Sequence, residues 1–229
     1  MAEILVVDDE LAVRRGVKAL LQGEGYGVRT AKSGADALAV LAERRPDLVL
    51  LDVMMPGMNG FRVCEEIRKG DRLLPVVFLT AASSEADQVR AMGLGGDDYI
   101  AKSAPPSVLL ARVGRALARG ADVASSISRR SPDVVRLGRV SVDMRSLAVA
   151  DGAGASEFLT RTEADILAML FARRGECVSH DELVEGLRGE GFACEDSMIY
   201  SHVSRLRRKL GPAGQLIVSA RGAGYRLGV

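Results

Sequence analysis

Two short apolar runs that end in aspartate constrain the fold of this chain more than any other feature. Ile4–Val7 is followed by Asp8 and Asp9, and Leu48–Leu51 is followed by Asp52. Runs of this length without polar residues are typical of parallel strands that are buried on both faces. Because ligands of open α/β sheets bind beyond the carboxyl ends of the strands, the sequence predicts three carboxylates at one sheet edge.

These carboxylates predict a site for a cation and for phosphoryl chemistry. Neighbouring carboxylates raise each other's pKa unless a cation lies among them, and ligands that are all oxygen favour a hard ion, here Mg²⁺. Two later apolar runs end in Thr80 and Lys102, which add a hydroxyl and an ammonium group to the same edge. One aspartate can then be the nucleophile in phosphoryl transfer, while the other acids hold the metal.

Alternating strand and helix patterns extend from Ile4 to about Arg119. Five such β/α units predict an α/β fold, a doubly wound five-stranded parallel sheet with helices on both faces. Ser33 is a suitable N-cap for the second helix. The other helices are predicted at Glu10–Glu24, Asn59–Lys69, Ser84–Met92 and Pro106–Ala118.

A polar, serine- and arginine-rich segment over 120–133 is predicted to be a flexible linker. It separates a domain over 1–119 from an α+β domain over 134–229. In the second domain, short alternating strands precede three helices, and a β-hairpin ends the chain. The helices are predicted at Arg161–Arg173, His180–Leu187 and Glu195–Leu210.

Composition excludes several classes of protein. The net charge of the 229-residue chain is only +1, so the chain as a whole has no nucleic-acid signature. Three scattered cysteines argue against a disulfide framework or a zinc site. The N-terminus does not resemble a signal peptide, and no apolar run reaches the roughly 18 residues of a membrane span. We therefore expect a cytoplasmic protein with no membrane partner.

The segment Asp196–Leu210 is predicted to be one helix with a buried apolar stripe. Four of the five residues from Arg205 to Lys209 are basic, which suits contacts to DNA phosphates and to guanine. Basic residues at a helix C-terminus also balance the helix dipole. From this helix alone, the two interpretations remain equally open. The stripe consists of Ile199, Val203, Leu206 and Leu210.

Four segments of the first domain, at 6–10, 51–60, 79–81 and 96–102, closely resemble response-regulator (CheY-like) receiver domains. The resemblance covers residues 3–119. It implies that a partner sensor histidine kinase phosphorylates Asp52. Its other implications are metal binding by Asp8, Asp9, Asp52 and the Met54 carbonyl, a phosphate contact by Lys102, and a conformational switch formed by Thr80 and Tyr99.

This chain departs from the receiver pattern at two places. The family usually has Lys-Pro-Phe with a cis Lys-Pro bond, where this chain has Lys102-Ser103-Ala104. A cis bond before serine costs about 3 kcal/mol, so the loop is either trans and differently shaped, or cis and strained.

The second departure lies on the face that forms the family's activated dimer. A typical basic–glutamate pair falls on Gln88 and Val108, which cannot form it. Because an exposed pair contributes about 0–1 kcal/mol, its loss weakens or redirects the dimer without excluding it. The charged residues that remain available for the dimer interface are Arg90, Asp97, Asp98 and Arg112.

Segments 159–163, 178–183, 196–210 and 221–226 resemble the OmpR/PhoB winged-helix effector domain, over residues 134–229. The resemblance implies a four-stranded N-terminal sheet, a recognition helix at 196–210 and a wing hairpin. The family often has arginine at Ser197 and aspartate at Tyr200, so the base sequence that the helix reads stays open. The predicted DNA contacts are Ser201, His202, Arg205, Arg207, Arg208, Lys209, Arg221 and Tyr225.

These features together predict a transcription factor rather than an enzyme acting on external substrates. Its expected partners are a histidine kinase, double-stranded DNA and a second copy of the chain, with RNA polymerase as a further candidate. One alternative is an interaction module that is not switched by phosphate. Another is a Mg²⁺-dependent phosphohydrolase acting through Asp52, which the DNA-binding half disfavours.

Overall fold

The computed structural model describes residues 1–81, 96–121, 133–151, 155–188, 196–220 and 222–228. The chain forms two compact units, Met1–Ala121 and Asp122–Val229. The predicted helix Ser84–Met92 lies outside the described residues, as does the predicted linker from 122 to 132.

The first unit contains a five-stranded, all-parallel sheet with strand order β2-β1-β3-β4-β5. This order confirms the predicted doubly wound α/β fold. Asn59 and Ser33 accept hydrogen bonds from the first turns of their helices, as good N-caps do. The elements are β1 Glu3–Val7, α1 Leu11–Gly23, β2 Gly27–Ala31, α2 Gly34–Glu43, β3 Leu48–Asp52, α3 Gly60–Gly70, β4 Val76–Thr80, β5 Asp98–Ala101 and α4 Pro106–Ala121.

Side chains alternate between two apolar cores, one on each face of this sheet. In β1, Leu5 and Val7 belong to one core, whereas Ile4 and Val6 belong to the other. The first core includes residues of α3, and the second includes Val113 of α4. Burial on both faces explains why the strands are continuous apolar runs.

The strand register determines which residues meet at the carboxyl edge. Val7 of β1 pairs with Leu51 of β3, so the next residues, Asp8 and Asp52, leave the sheet at the same level. Thr80 of β4 pairs with Ala101 of β5, which places Lys102 directly beyond it.

The second unit is the α+β domain that the sequence predicts, with a four-stranded antiparallel sheet and a three-stranded sheet of order β10-β12-β11. Strand β10 and a 3-10 helix at Gly211–Leu216 were not predicted. The elements are β6 Val134–Leu137, β7 Val140–Asp143, β8 Ala148–Ala150, β9 Ala155–Phe158, α5 Arg161–Ala172, β10 Cys177–Ser179, α6 His180–Arg188, α7 Asp196–Lys209, β11 Ile217–Ala220 and β12 Gly224–Leu227.

The core of the second unit gathers around α7. The predicted apolar stripe is confirmed, because Ile199, Val203, Leu206 and Leu210 are all buried in one core cluster. Helix α5 begins with a capping box in which Thr160 and Glu163 exchange side-chain and backbone hydrogen bonds.

Candidate functional site

The structure brings the three predicted acids together at the carboxyl edge of the parallel sheet. Carboxylate oxygens of Asp8, Asp9 and Asp52 lie within 4.8 Å of one another. Asp8 and Asp52 are fully buried, whereas Asp9 is exposed. The cluster therefore has a dry interior and one side open to solvent.

Lys102 is the cation of this cluster. Its Nζ lies 2.8 Å from Asp8 Oδ2, 2.9 Å from Asp52 Oδ2 and 3.2 Å from Glu10 Oε1. Burial opposes the charge of Lys102, but the hydrogen bonds to Asp8 and Asp52 outweigh it and raise the pKa of the lysine well above its usual value. The ammonium group therefore stays charged over the physiological pH range.

The loop after Lys102 contains no cis peptide bond, and neither does the rest of the described chain. The trans alternative therefore holds. The Lys102 backbone N–H still donates to the Thr80 carbonyl at 2.8 Å, and the Ala104 N–H closes a turn onto Ala101 at 2.9 Å. These two bonds place the lysine at the acids without a proline.

Asp52 is held by the chain on both sides. Its Oδ1 accepts a hydrogen bond from the Met54 N–H at 3.1 Å, and its Oδ2 contacts Lys102. Burial raises the pKa of Asp52, and the negative charge of Asp8 adds to this, although the bonds from Lys102 and Met54 oppose it. The carboxylate is therefore more basic than an exposed one, which suits a nucleophile.

Gly60 is a site residue that the sequence analysis did not identify. A Cβ at this position would lie 2.1 Å from the Asp52 carbonyl oxygen, so only glycine lets α3 begin this close to the end of β3. Glu10 and Arg14 were also missed; the Arg14 guanidinium donates to the Asp8 carbonyl at 2.5 Å. A glycine at a helix start, shortly after a buried strand, was the available signal for Gly60.

The two predicted switch residues lie on neighbouring strands. Thr80 ends β4 and is 4% exposed. Tyr99 in β5 is half-buried, packs against the first core, and its carbonyl accepts a hydrogen bond from Arg112 at 2.9 Å.

The donor set fits a hard divalent cation. It offers oxygen ligands only, and three carboxylates, those of Asp8, Glu10 and Asp52, contact a single ammonium group. Over the residues that the structure describes, no other group of three acidic, histidine or cysteine side chains is arranged to hold a metal.

Three residues predicted for a dimer interface have partners within the chain. Asp97 accepts from Arg68 at 2.8 Å and from the Val76 N–H at 2.9 Å. Asp98 pairs with Arg112 at 2.8 Å. Arg90, the fourth residue of the predicted set, lies outside the described residues, as does Gln88.

Helix α7 uses part of its basic run internally, which corrects the prediction for two DNA contacts. His202 is fully buried and Arg205 is 8% exposed, and they share a 2.9 Å contact between Arg205 Nη2 and His202 Nδ1. Buried Glu163 of α5 draws the helix inward, with Lys209 Nζ at 2.7 Å and Arg205 Nε at 3.7 Å. These side chains stabilise the core, and His202 and Arg205 do not face solvent.

Two more of the predicted DNA contacts lie at the hairpin formed by β11 and β12. Arg207 donates to the Ile217 carbonyl at 2.7 and 2.9 Å and to Ser219 Oγ at 2.9 Å. Tyr225 was predicted either to support the hairpin or to contact the DNA backbone; it is 1% exposed and lies beneath the Arg207 guanidinium. Arg221 lies outside the described residues.

The solvent-facing side of α7 is different from the predicted set. Arg208 is exposed and Ser201 is half-buried, and Tyr200 and Ser204 are the other exposed positions on this part of the helix. Among the described helices, none combines the length and apolar character that crossing a membrane requires.

Family comparisons match both units. Residues 4–114 match the family described as "Response regulator receiver domain". Residues 154–227 match the family described as "Transcriptional regulatory protein, C terminal".

Relatives align over almost the whole chain. The transcriptional regulatory protein AfsQ1 of Streptomyces coelicolor is 36% identical, covering 99% of this chain and 98% of its own. The DNA-binding response regulator MtrA of Mycolicibacterium smegmatis is 35% identical, covering 98% of this chain and 96% of its own. A solved structure titled "RitR mutant - C128S" superposes with a TM-score of 0.80, covers 99% of both chains, and at 23% identity supports the fold alone.

Proposed function

This chain belongs to the OmpR/PhoB family of two-component response regulators, and we propose that phosphorylation of Asp52 by a sensor histidine kinase controls it. It is a DNA-binding transcriptional regulator and not a metabolic enzyme. The observation that carries the proposal is the burial of Asp52 at the end of β3, between Lys102 and two further acids.

The proposed chemistry is transfer of a phosphoryl group to Asp52. A carboxylate oxygen of Asp52 attacks phosphorus, a P–O bond forms, the P–N bond to the kinase histidine breaks, and the imidazole leaves. Lys102 then pairs with a phosphoryl oxygen, and the Thr80 hydroxyl donates to another. Mg²⁺, held by Asp8, Asp9, Asp52 and the Met54 carbonyl, would neutralise phosphoryl charge.

The proposed response is a shift in a two-state element. Phosphorylation gives Lys102 a new partner in place of the Asp52 carboxylate, and Thr80 moves toward the phosphoryl group. Tyr99, which is half-buried beside the core, then turns inward. A second copy of the chain would bind the altered face, although Asp97, Asp98 and Arg112 must first exchange their present partners.

The proposed output is binding of two copies to DNA half-sites about one helical turn apart. Exposed Arg208 and half-buried Ser201 support a duplex contact along α7. The proposed domain limits remain 1–119 and 134–229 with a linker at 120–133, and RNA polymerase remains a candidate partner. We place the protein in the cytoplasm as part of the same proposal.

The test is molar mass by light scattering during size exclusion, with Mg²⁺ and beryllofluoride as a phosphoryl mimic. Wild type should shift from monomer to dimer, Asp52→Asn should not, and the matched control Glu24→Gln, an exposed acid of the same unit, should behave as wild type. Labelling with a small-molecule phosphodonor should follow the same pattern. Persistent labelling of Asp52→Asn would refute the assignment of the acceptor.

A module that is not switched by phosphate is the second candidate. The intrachain pairs of Asp97 and Asp98 favour it, because they engage the acids expected to form the activated dimer. A dimer in every sample, with DNA affinity unchanged by beryllofluoride, would identify this behaviour.

A further inference from the structure

The outward face of α7 presents an aromatic ring where a polar residue is more usual on a DNA-reading helix. Tyr200, Ser204 and Arg208 are each exposed and follow one another at four-residue spacing. Tyr200 is 52% exposed, although the neighbouring Ile199 is buried in the core. Such spacing puts the three side chains in one line along the helix.

The ring of Tyr200 is held in place from below. It meets the His180 ring edge-on, with centroids 5.0 Å apart, and the Tyr225 ring at 6.2 Å. His180 and Tyr225 in turn stack at 5.4 Å with an interplanar angle of 15°. The inner edge of Tyr200 is therefore fixed by α6 and β12, while the outer edge faces solvent. A side chain ordered in advance loses less conformational entropy on binding.

The position of Tyr200 along α7 distinguishes it from Arg208. At 1.5 Å rise per residue, the two residues lie about 12 Å apart along the helix axis, so they cannot contact the same base pair. Residues in the N-terminal part of a recognition helix are the ones that contact base edges. Arg208 near the C-terminal end carries the charge that suits a phosphate.

We propose that Tyr200 is a base-reading residue that contacts the 5-methyl group of a thymine in the major groove, which rests on the DNA-binding function proposed above. Among major-groove base edges, thymine presents a methyl group, and apolar side chains recognise it. A carboxylate at this position would instead accept hydrogen bonds from cytosine. Over residues 199–205 of α7, Tyr200 and Ser204 are the exposed positions, and the Tyr200 ring is the larger of the two groups.

The experiment selects binding sites from random double-stranded DNA with the full chain, Mg²⁺ and beryllofluoride. Wild type and Tyr200→Phe should enrich a motif with a required thymine, whereas Tyr200→Ala should lose the preference at that position only. Ser204→Ala is the matched control on the same face and should keep it. Thermal unfolding of each variant shows whether the fold is retained.

A second measurement changes the DNA instead of the protein. Replacing the required thymine by deoxyuracil removes only the methyl group, and binding of wild type should weaken about fourfold, the value of one buried methyl-sized group. Binding of Tyr200→Ala should not change between the two duplexes. No loss for wild type on deoxyuracil, or an unchanged motif with Tyr200→Ala, would overturn the inference.

Two further outcomes also decide the matter. If Tyr200→Phe loses the thymine as completely as Tyr200→Ala, the hydroxyl makes the contact and the methyl-reading role is refuted. If wild type enriches no sequence at all, the proposed function itself fails, and the inference falls with it. If wild type enriches a motif and Tyr200→Ala enriches the same motif, only the inference about Tyr200 is refuted.

Discussion

Each half of this protein buries acidic side chains against basic ones, but the two clusters have opposite charge balance. At the edge of the parallel sheet, Lys102 is shared by buried Asp8 and Asp52. In the second unit, a single buried acid, Glu163, is shared by Lys209 and Arg205. The first cluster has an excess of negative charge, and the second has an excess of positive charge.

The difference indicates which cluster can change state. An excess of acid at an edge that is open beside Asp9 can take up a cation or exchange its lysine contacts with a phosphoryl group. Oε2 of Glu163 accepts hydrogen bonds from Lys209 and from the Thr160 N–H, and Oε1 faces Arg205 at 3.7 Å, so this carboxylate holds its helix in one arrangement. An excess of acid thus marks the switch, and a single acid shared by two cations marks the scaffold.

The largest expected effect is on the Glu163 cluster. Glu163→Ala removes the acceptor for Lys209 and the capping-box acceptor for the Thr160 N–H, and leaves Lys209 and buried Arg205 without their carboxylate. We expect a loss of about 3–5 kcal/mol in the free energy of unfolding of the second unit. Denaturant unfolding of the full chain, followed by circular dichroism, measures it.

Glu163→Gln is the matched control for this change. It keeps an acceptor for the Thr160 N–H, which lies 2.7 Å from the carboxylate, and removes only the charge. It should therefore cost less than the alanine variant. Equal losses would show that the charge alone matters, and a loss below about 1 kcal/mol for alanine would contradict the scaffold role.

Removal of the lysine from the acidic cluster at the sheet edge should have an intermediate effect. Lys102→Met leaves Asp8 and Asp52 buried without their cation, and we expect about 2 kcal/mol of destabilisation in the presence of EDTA. Added Mg²⁺ should restore most of this loss, since a divalent ion replaces the missing charge. A loss that Mg²⁺ does not reduce would argue against a metal site among these acids.

Asp52→Asn should have a smaller effect with the opposite sign. Because burial raises the pKa of Asp52, the folded chain binds this proton more tightly than the unfolded chain, and stability falls as pH rises through the window above the ordinary value. Without metal, the variant should be more stable than wild type by about 1 kcal/mol at pH 7. The difference should shrink as the pH approaches 4. Thermal unfolding at both pH values checks it, and a destabilised variant at pH 7 would contradict it.

The smallest effect concerns Glu182 at the start of α6. The Ser179 N–H at 2.7 Å, together with Arg173, lowers the pKa of Glu182 to about 2. The stabilisation from this acid is complete above its ordinary value and is lost as the pH falls toward about 2. A carboxyl titration by NMR should give this value, whereas a midpoint near 4 would contradict it.

The acidic edge was predictable because its information is local. Each acid directly follows an apolar run. The strand register is then sufficient to bring Asp8, Asp52 and Lys102 together. The requirement for glycine at position 60 was harder to predict from the sequence. It arises because a Cβ there would lie 2.1 Å from the Asp52 carbonyl oxygen. Close approaches of this kind depend on the path of two elements rather than on either sequence.

The basic helix was predicted in position but not in the roles of its side chains. The 3.6-residue period identifies the stripe of Ile199 and Val203. From the same period, the neighbouring His202 and Arg205 were predicted to face outward. Burial of those two depends on Glu163, which lies far away in the sequence on another helix. His202, Arg205 and Lys209 follow one another at intervals of three and four residues. This spacing was the available signal that they form a second stripe that faces inward.

The internal use of the basic run has a consequence for how DNA affinity depends on salt. Each phosphate contact by a free cation releases condensed counterions and adds about −0.9 to the slope of log K against log salt concentration. With Arg205, Arg207 and Lys209 bonded within the chain, the described part of the recognition helix contributes about one such release per copy, through Arg208. Affinity from this helix should therefore survive changes in ionic strength that would detach a helix with four free cations.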